Sequence, residues 1–274
     1  MTQARHLSLV VRRSAGETFA VDNATAQIER DDTRRNAFTL LLDGVQSSHV
    51  DLDDSTYLVF EYVQWFAGVI DCLRPDGEPI DTVHLGGGAA TLARYIAVTR
   101  PQSRQTVFEI DAALVDLVRE RLPLPKSRRL RVRVADARLG LAALPTSSAD
   151  LVVRDAFLDA AVPEHLRTVE FALLVKEILR PGGVYIMNVA DGVPFRKLGP
   201  DVAAVAEVFT ELAVVSEPAV FRGRRHGNLV VVASDSALPV DAIAANVATG
   251  SAPARVRSDG EARAIGRGHR PPRD

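Results

Sequence analysis

The chain has 274 residues, with 33 basic and 35 acidic side chains and a formal net charge of −2. Hydrophobic residues make up 47% and charged residues 25%, enough for a large buried core and incompatible with global disorder. The near-neutral balance offers no basic field to a polyanion, so no nucleic-acid partner is expected, and the single cysteine, Cys72, excludes an internal disulfide or a multi-cysteine metal site.

The stretch Leu7–Val11 is too short for a signal-peptide core. No apolar run approaches the ~20 residues that span a bilayer, so the sequence reads as a soluble cytoplasmic protein with no membrane partner. Neither HxxxH nor HExxH occurs and no metal is expected; His84, inside an apolar strand, reads as a packed residue.

Alternation and turn residues predict short strands at Leu7–Arg12, Glu17–Val21, Thr25–Arg30, Ala37–Leu42 and Val45–Leu52. Asp43-Gly44 between the last two is a hairpin signal, because a two-residue turn of that kind needs positive φ. Residues 1–55 thus read as a small antiparallel β domain, too poor in apolar residues to stand without packing on the rest of the chain. From Tyr57 to Leu73 the apolar spacing is helical, and Tyr62, Trp65 and Phe66 read as core rather than as a dimer surface.

Beyond Pro75-Asp76-Gly77 the pattern alternates. Strands are expected at Thr82–Leu85, Gln105–Ile110, Leu130–Val134, Leu151–Val153 and Val184–Val189, and helices from Ala89, from Ala112 and over Thr168–Leu179. That last helix is expected to stop at Pro181-Gly182-Gly183. A helix over Asp201–Leu212 precedes two strands, Val214–Glu217 and Asn228–Ala233, joined by a polar turn from Arg222 to Gly227. Near-continuous apolar strands alternating with helices argue for a parallel sheet covered on both faces. The expected fold is α/β: a class I methyltransferase-like, Rossmann-like sheet of seven strands over residues 56–238, ending in an antiparallel hairpin. Residues 239–274 read as a short helix, Val240–Val247, and a mobile tail.

The run Val83-His84-Leu85-Gly86-Gly87-Gly88-Ala89 ends one strand and opens a helix, where glycines admit a ligand to the backbone and helix N–H groups are unpaired. Glu109 lies 21 residues after Gly88, at the end of the next strand, where a carboxylate can accept both ribose hydroxyls. Asp136 ends the third strand, where it can accept from an adenine amino group beside a backbone N–H. Asp155 ends the fourth. Four successive strand ends thus carry a glycine loop or an acid along one edge, the ligand crevice of an open α/β sheet. The candidate nucleoside set is Gly86, Gly87, Gly88, Glu109, Ile110, Asp136 and Ala137. The third-strand acid favours an S-adenosylmethionine-type ligand over a nicotinamide dinucleotide.

With these residues placed, the chain resembles the spermidine synthase (polyamine aminopropyltransferase) family, a branch of the methyltransferase fold. The resemblance runs from about residue 15 to about residue 235, through Leu41-Leu42-Asp43-Gly44-Val45-Gln46, the triple glycine with Arg94 downstream, Phe108-Glu109-Ile110-Asp111, Asp136, Asp155 and Phe171 to Gly183. It implies a co-substrate, S-adenosylmethionine or its decarboxylated form, with Gln46 added to the nucleotide-binding residues. It also implies a small amine or other small-molecule acceptor, a homodimer, Asp155 as the base acting on the attacking amine with Tyr57 positioning it, and a lid over Asp155–Arg167.

The chain departs from the family at three acids. Ala89 replaces the acid of the glycine loop, Leu158 the second acid after the fourth strand, and Val59 the Glu of a Tyr-His/Gln-Glu motif matched to Tyr57-Leu58-Val59. A diamine is a dication that needs carboxylates at both ends of its pocket. These losses should weaken polyamine binding unless Asp159, Glu61 or Glu164 substitutes. Three readings are therefore open: aminopropyl transfer in polyamine biosynthesis, S-adenosylmethionine-dependent methylation of a small acceptor, and a non-catalytic nucleoside-binding scaffold.

Overall fold

The structure, a computed structural model, describes residues 17–158 and 161–274; the strand expected at Leu7–Arg12, and Asp159, lie outside the described residues. Strands β1 (Glu17–Ala20), β2 (Thr25–Arg30), β3 (Ala37–Leu42) and β4 (Val45–Asp51) form an antiparallel sheet in chain order. Asp43 and Gly44 turn the β3–β4 hairpin with φ of 48° and 77°, left-handed values that Gly adopts freely and Asp tolerates.

The rest of the chain alternates helix and strand: α1 (Glu61–Leu73), β5 (Thr82–Leu85), α2 (Thr91–Thr99), β6 (Gln105–Glu109), α3 (Ala112–Arg121), β7 (Leu130–Val134), α4 (Ala137–Ala142) and β8 (Ala149–Arg154). Then come α5 (Val169–Ile178), β9 (Leu179–Asp191), α6 (Leu198–Val208), β10 (Glu211–Ser216), α7 (Pro218–Phe221), β11 (Gly227–Ser234), α8 (Val240–Thr249), β12 (Arg255–Ser258) and α9 (Asp259–Gly266). The second sheet has the order β12-β10-β11-β9-β8-β5-β6-β7. The run from β9 to β7 is parallel, whereas β11 is antiparallel to both β9 and β10. Its two faces are covered by separate cores. One holds α5 and α6; the other holds α1, where Trp65, Phe66, Val69 and Ile70 are buried against Val153, Ile186 and Val230.

The small sheet is fastened to the larger body at α3. Its apolar face, Ala26, Leu40 and Val50, packs on Leu114, Leu117 and Val118. Asp111, 3% exposed, accepts the Leu114 N–H at 2.7 Å as the cap of α3, and also the N–H groups of Asp22 (3.1 Å) and Asn23 (2.8 Å). Asp111→Ala strips a partner from three backbone donors at once. It should lower stability by about 2 kcal/mol or more in urea denaturation, with faster amide exchange at Asp22 and Asn23.

The sheet has eight strands rather than seven. The residues expected to form a mobile tail supply β12, which pairs with β10, and α9, whose Ala262 and Ile265 are buried. Arg263 ties α9 down by donating to the carbonyls of Ala206 (3.1 Å), Phe209 (3.0 Å) and Thr210 (2.7 Å) around the C-terminal end of α6. Two smaller differences accompany this. The strand after α5 begins at Leu179 and runs through Pro181-Gly182-Gly183, and the β10–β11 connection contains α7. Among the described residues, no helix is long and apolar enough to cross a membrane.

Candidate active site

Strand β5 lies between β6 and β8, parallel to both, so the winding of the sheet reverses there and a crevice opens beyond the strand ends. The glycine loop and Asp155 meet in that crevice. The Gly86 N–H donates to Phe108 O and the Asp155 N–H to Leu85 O, each at 2.9 Å. Gly86 has φ 97°, and a Cβ on it would stand 2.4 Å from the Asp155 carbonyl oxygen; one on Gly88 would stand 2.6 Å from Ser48 Oγ. The loop is glycine because backbone and hydroxyl crowd it on both sides. Arg94 braces it from below, donating to Ala89 O (2.8 Å), Pro123 O (2.8 Å) and Leu122 O. Burial lowers its guanidinium to about 10.

On the nucleoside side, Glu109 stands beside the loop. Its Oε2 accepts the N–H groups of Gly87 (2.8 Å) and Gly88 (3.1 Å), and its Oε1 accepts that of Asp111 (3.2 Å). Oε1, with one donor, keeps a further lone pair, which leaves capacity for a ribose hydroxyl. Asp136 caps α4, with Oδ1 accepting the N–H groups of Arg138 (2.9 Å) and Leu139 (3.0 Å), while Oδ2 meets His165 Nε2 at 2.8 Å. Burial pushes the Asp136 carboxyl up, but the Leu139 N–H, His165 and the Arg138 N–H together hold it below its ordinary value. Ala137 opens α4 and is buried, whereas Ile110 and Leu139 are 53% and 72% exposed, apolar side chains open to a flat ring. His165 has no motif of its own in the sequence; only the fold brings it 29 residues back to Asp136.

On the other side of the loop lies a cleft lined by Ser47, Ser48, Phe60, Tyr62, His84 and Asp155, among others. Asp155 Oδ1 accepts from Asn188 Nδ2 at 3.1 Å, and the Tyr62 hydroxyl interacts with the same carboxylate. Burial drives the Asp155 carboxyl up to about 6 against the opposing pull of Asn188, Tyr62 and Arg154. Burial, and then the Asp155 charge, likewise raise the Tyr62 phenol. Asn188 Oδ1 is buried without a partner.

Two residues expected at the site lie elsewhere. Tyr57 precedes the first turn of α1. Its ring lies under the Arg34 guanidinium, 4.1 Å from ring centroid to Cζ, and edge-on to His49. Tyr62, inside the helix, is the tyrosine beside Asp155, and the helix starts at Glu61 rather than at Tyr57. Gln46 is an exposed residue of the edge strand β4, and Ser47 and Ser48 face the cleft instead. The segment expected as a lid is anchored at its end. Arg154 Nη1 donates to Leu166 O at 2.7 Å, and Arg167 Nε to Asp201 at 2.6 Å. If the phenol next to Asp155 is the working one, Tyr62→Phe should lower kcat/KM about 10-fold. It should also move the acid limb of the pH profile upward, because a donor that lowers the Asp155 carboxyl is gone; Tyr57→Phe should stay within about twofold of wild type.

No protein-family model matches the chain. It is 32% identical over 134 residues to a polyamine aminopropyltransferase of Vibrio vulnificus, covering 48% of this chain and 44% of that protein. To the polyamine aminopropyltransferase of Chromobacterium violaceum it is 26% identical over 189 residues, 69% of this chain and 68% of the other. The alignments to the first three curated relatives span less than half of those proteins' lengths, at 44%, 24% and 46%. Among solved structures, spermidine synthase from Thermotoga maritima shares the fold with a TM-score of 0.62 at 16% identity, over 86% of this chain and 78% of that one. A probable spermidine synthase from Corynebacterium glutamicum matches with a TM-score of 0.87 at 32% identity, over 95% of this chain and 97% of that one. On that near-complete match, and on the glycine loop and strand-end acids gathered in one crevice, the chain belongs to the spermidine synthase (polyamine aminopropyltransferase) family.

Proposed function

We propose that this protein transfers an aminopropyl group from decarboxylated S-adenosylmethionine to an amine. The observation that carries the reading is Asp155: a carboxylate at the wall of the cleft, against Gly86, with its carboxyl raised to about 6. Amines are protonated near neutral pH and attack only when neutral, so the reaction needs a base at the nucleophile. Asp155 is ionised above about 6 and is basic enough to serve. The amine nitrogen bonds to the carbon next to the sulfonium and the carbon–sulfur bond breaks, with its electron pair passing to sulfur. The surplus ammonium proton goes to Asp155, and methylthioadenosine leaves as a neutral thioether.

The same lining supports the decarboxylated form of the donor. Among the described residues, those lining the cleft include no Lys or Arg, and burial pushes the His84 ring down to about 4, so it is neutral. An intact methionyl carboxylate entering there would be buried without a cation, at a cost that the decarboxylated donor avoids. The nucleoside would be held by Glu109 and Asp136, with Ile110 and Leu139 against the ring.

Incubation with decarboxylated S-adenosylmethionine and a panel of amines should release methylthioadenosine. Calorimetry should show the decarboxylated donor binding more tightly than the intact one. Tighter binding of intact S-adenosylmethionine, with methyl rather than aminopropyl transfer, would replace this reading with a methyltransferase.

A further inference from the structure

Building on the aminopropyl-transfer reading, we infer that His84 Nδ1 accepts a hydrogen bond from the ammonium at the end of the donor's aminopropyl arm. The reaction uses Asp155 at the attacking amine, and this second nitrogen needs a partner of its own once it leaves water. His84 stands on β5, two residues before Gly86, where it lines the floor of the cleft and is 5% exposed. The bonds around it fix which ring nitrogen is free. Gln105 Nε2 lies 3.1 Å from Ala93 O, and a carbonyl oxygen only accepts, so that end of the amide is the N–H donor. Gln105 Oε1 is then an acceptor, and His84 Nε2, 2.9 Å away, carries the ring hydrogen. Nδ1 keeps a lone pair, and no group among the described residues donates to it. An unpartnered polar atom at that depth works against folding, and an apolar side chain would suit the neighbours, Phe66, Leu92 and Val153, better. Burial keeps the ring neutral, so it meets an ammonium as an acceptor and not as a second cation.

The placement assigns this nitrogen to the donor rather than to the acceptor. His84 pairs with Val107 in the register of β5 with β6, and its ring reaches Gln105 on the same strand. Strand β6 ends in Glu109, where the ribose would sit, while Asp155 follows β8, the neighbour on the opposite side of β5. Displacement at carbon runs in line, so the attacking nitrogen and the departing sulfur lie on opposite sides of the attacked carbon. The β8 side, with the base, is the acceptor's, and the β6 side is the donor's. The pocket beside Glu109 and the cleft share Gly87, Ala90 and Val107 as a common wall. An arm leaving a sulfonium beside Gly87 enters the cleft over Val107, toward its register partner His84.

The test reads the nitrogen itself. In protein labelled with nitrogen-15 histidine, His84 Nδ1 is expected to resonate as an unprotonated ring nitrogen, assigned by its loss in His84→Phe. Decarboxylated S-adenosylmethionine is expected to move that resonance upfield, as accepting a hydrogen bond does. Methylthioadenosine, with the same nucleoside and no arm, should leave it in place. In calorimetry His84→Phe is expected to bind the decarboxylated donor about 10-fold more weakly, and methylthioadenosine within about twofold of wild type. A protonated Nδ1 in the free protein, a resonance unmoved by the decarboxylated donor, or equal movement by methylthioadenosine overturns the inference. So does movement that appears only when 1,4-diaminobutane joins the methylthioadenosine complex, which gives the nitrogen to the acceptor. Methylthioadenosine release with an amine is scored separately. Release with the resonance unmoved sinks the His84 contact alone; a moved resonance with no release from any amine sinks aminopropyl transfer while the contact stands.

Discussion

Asp155→Asn should lower turnover by about 10²–10⁴-fold while making the fold more stable at pH 7. The two effects share one cause. Burial raises the Asp155 carboxyl from 3.8 to about 6, so the folded protein holds a carboxylate that water would hold more easily. A group raised on folding contributes stability that is fully present below its unfolded value and is lost as the pH climbs through its folded value. Above pH 7 the ionised Asp155 therefore opposes folding by up to about 3 kcal/mol. Asn keeps the shape, accepts from Tyr62 and Asn188 through its amide oxygen, and carries no charge. The variant should melt several degrees above wild type at pH 8 and converge with it near pH 4. Turnover surviving within a few-fold would remove Asp155 as the base. A variant less stable than wild type at pH 8 would show that burial is not what raises the carboxyl.

Asp201→Ala should give the largest loss of stability, about 3–5 kcal/mol in urea denaturation. Asp201 is 1% exposed and accepts from Arg154 Nη2 and Arg167 Nε, each at 2.6 Å. Arg154 is equally buried, and its Nε already has no partner. Removing the carboxylate strands that guanidinium in the core. Replacing both partners with apolar residues, Arg154→Met with Asp201→Leu, should recover much of the loss, since the penalty belongs to the uncompensated charge rather than to the missing bridge. Activity should fall further than stability alone explains. Arg154 immediately precedes Asp155, and Arg167 closes the segment after it, so both ends of that segment depend on Asp201. A cost below about 1 kcal/mol for the single variant would show that water reaches Arg154.

The strands from Glu17 to Leu85 and their turns were legible because their signals are local. Asp43-Gly44 adopts the positive φ values its composition demands, and the apolar run of α1 packs as its spacing predicts. His84 is packed, as its apolar neighbours suggest. The last strand was hidden by its chemistry. Arg255-Val256-Arg257-Ser258 reads as a polar tail, yet an edge strand carries charge for good reason, because charge discourages pairing with other chains. The loop that carries α7 looked like a plain polar turn because Arg222, Arg224 and Arg225 dominate its composition.

By itself, the sequence determined strands β1 to β11 in outline, the glycine loop, and the acids at the ends of successive strands, because each depends on backbone preference or on periodicity within a few residues. Only the tertiary structure decided which tyrosine lies beside Asp155. Tyr57 and Tyr62 are five residues apart, and packing of α1 against the sheet turns one into the cleft and leaves the other under Arg34. It likewise decided that His165 shares Asp136 and that the imidazole of His84, in the cleft, is neutral. Charge state and partnership are set by distance and burial in space, and neither is written along the chain.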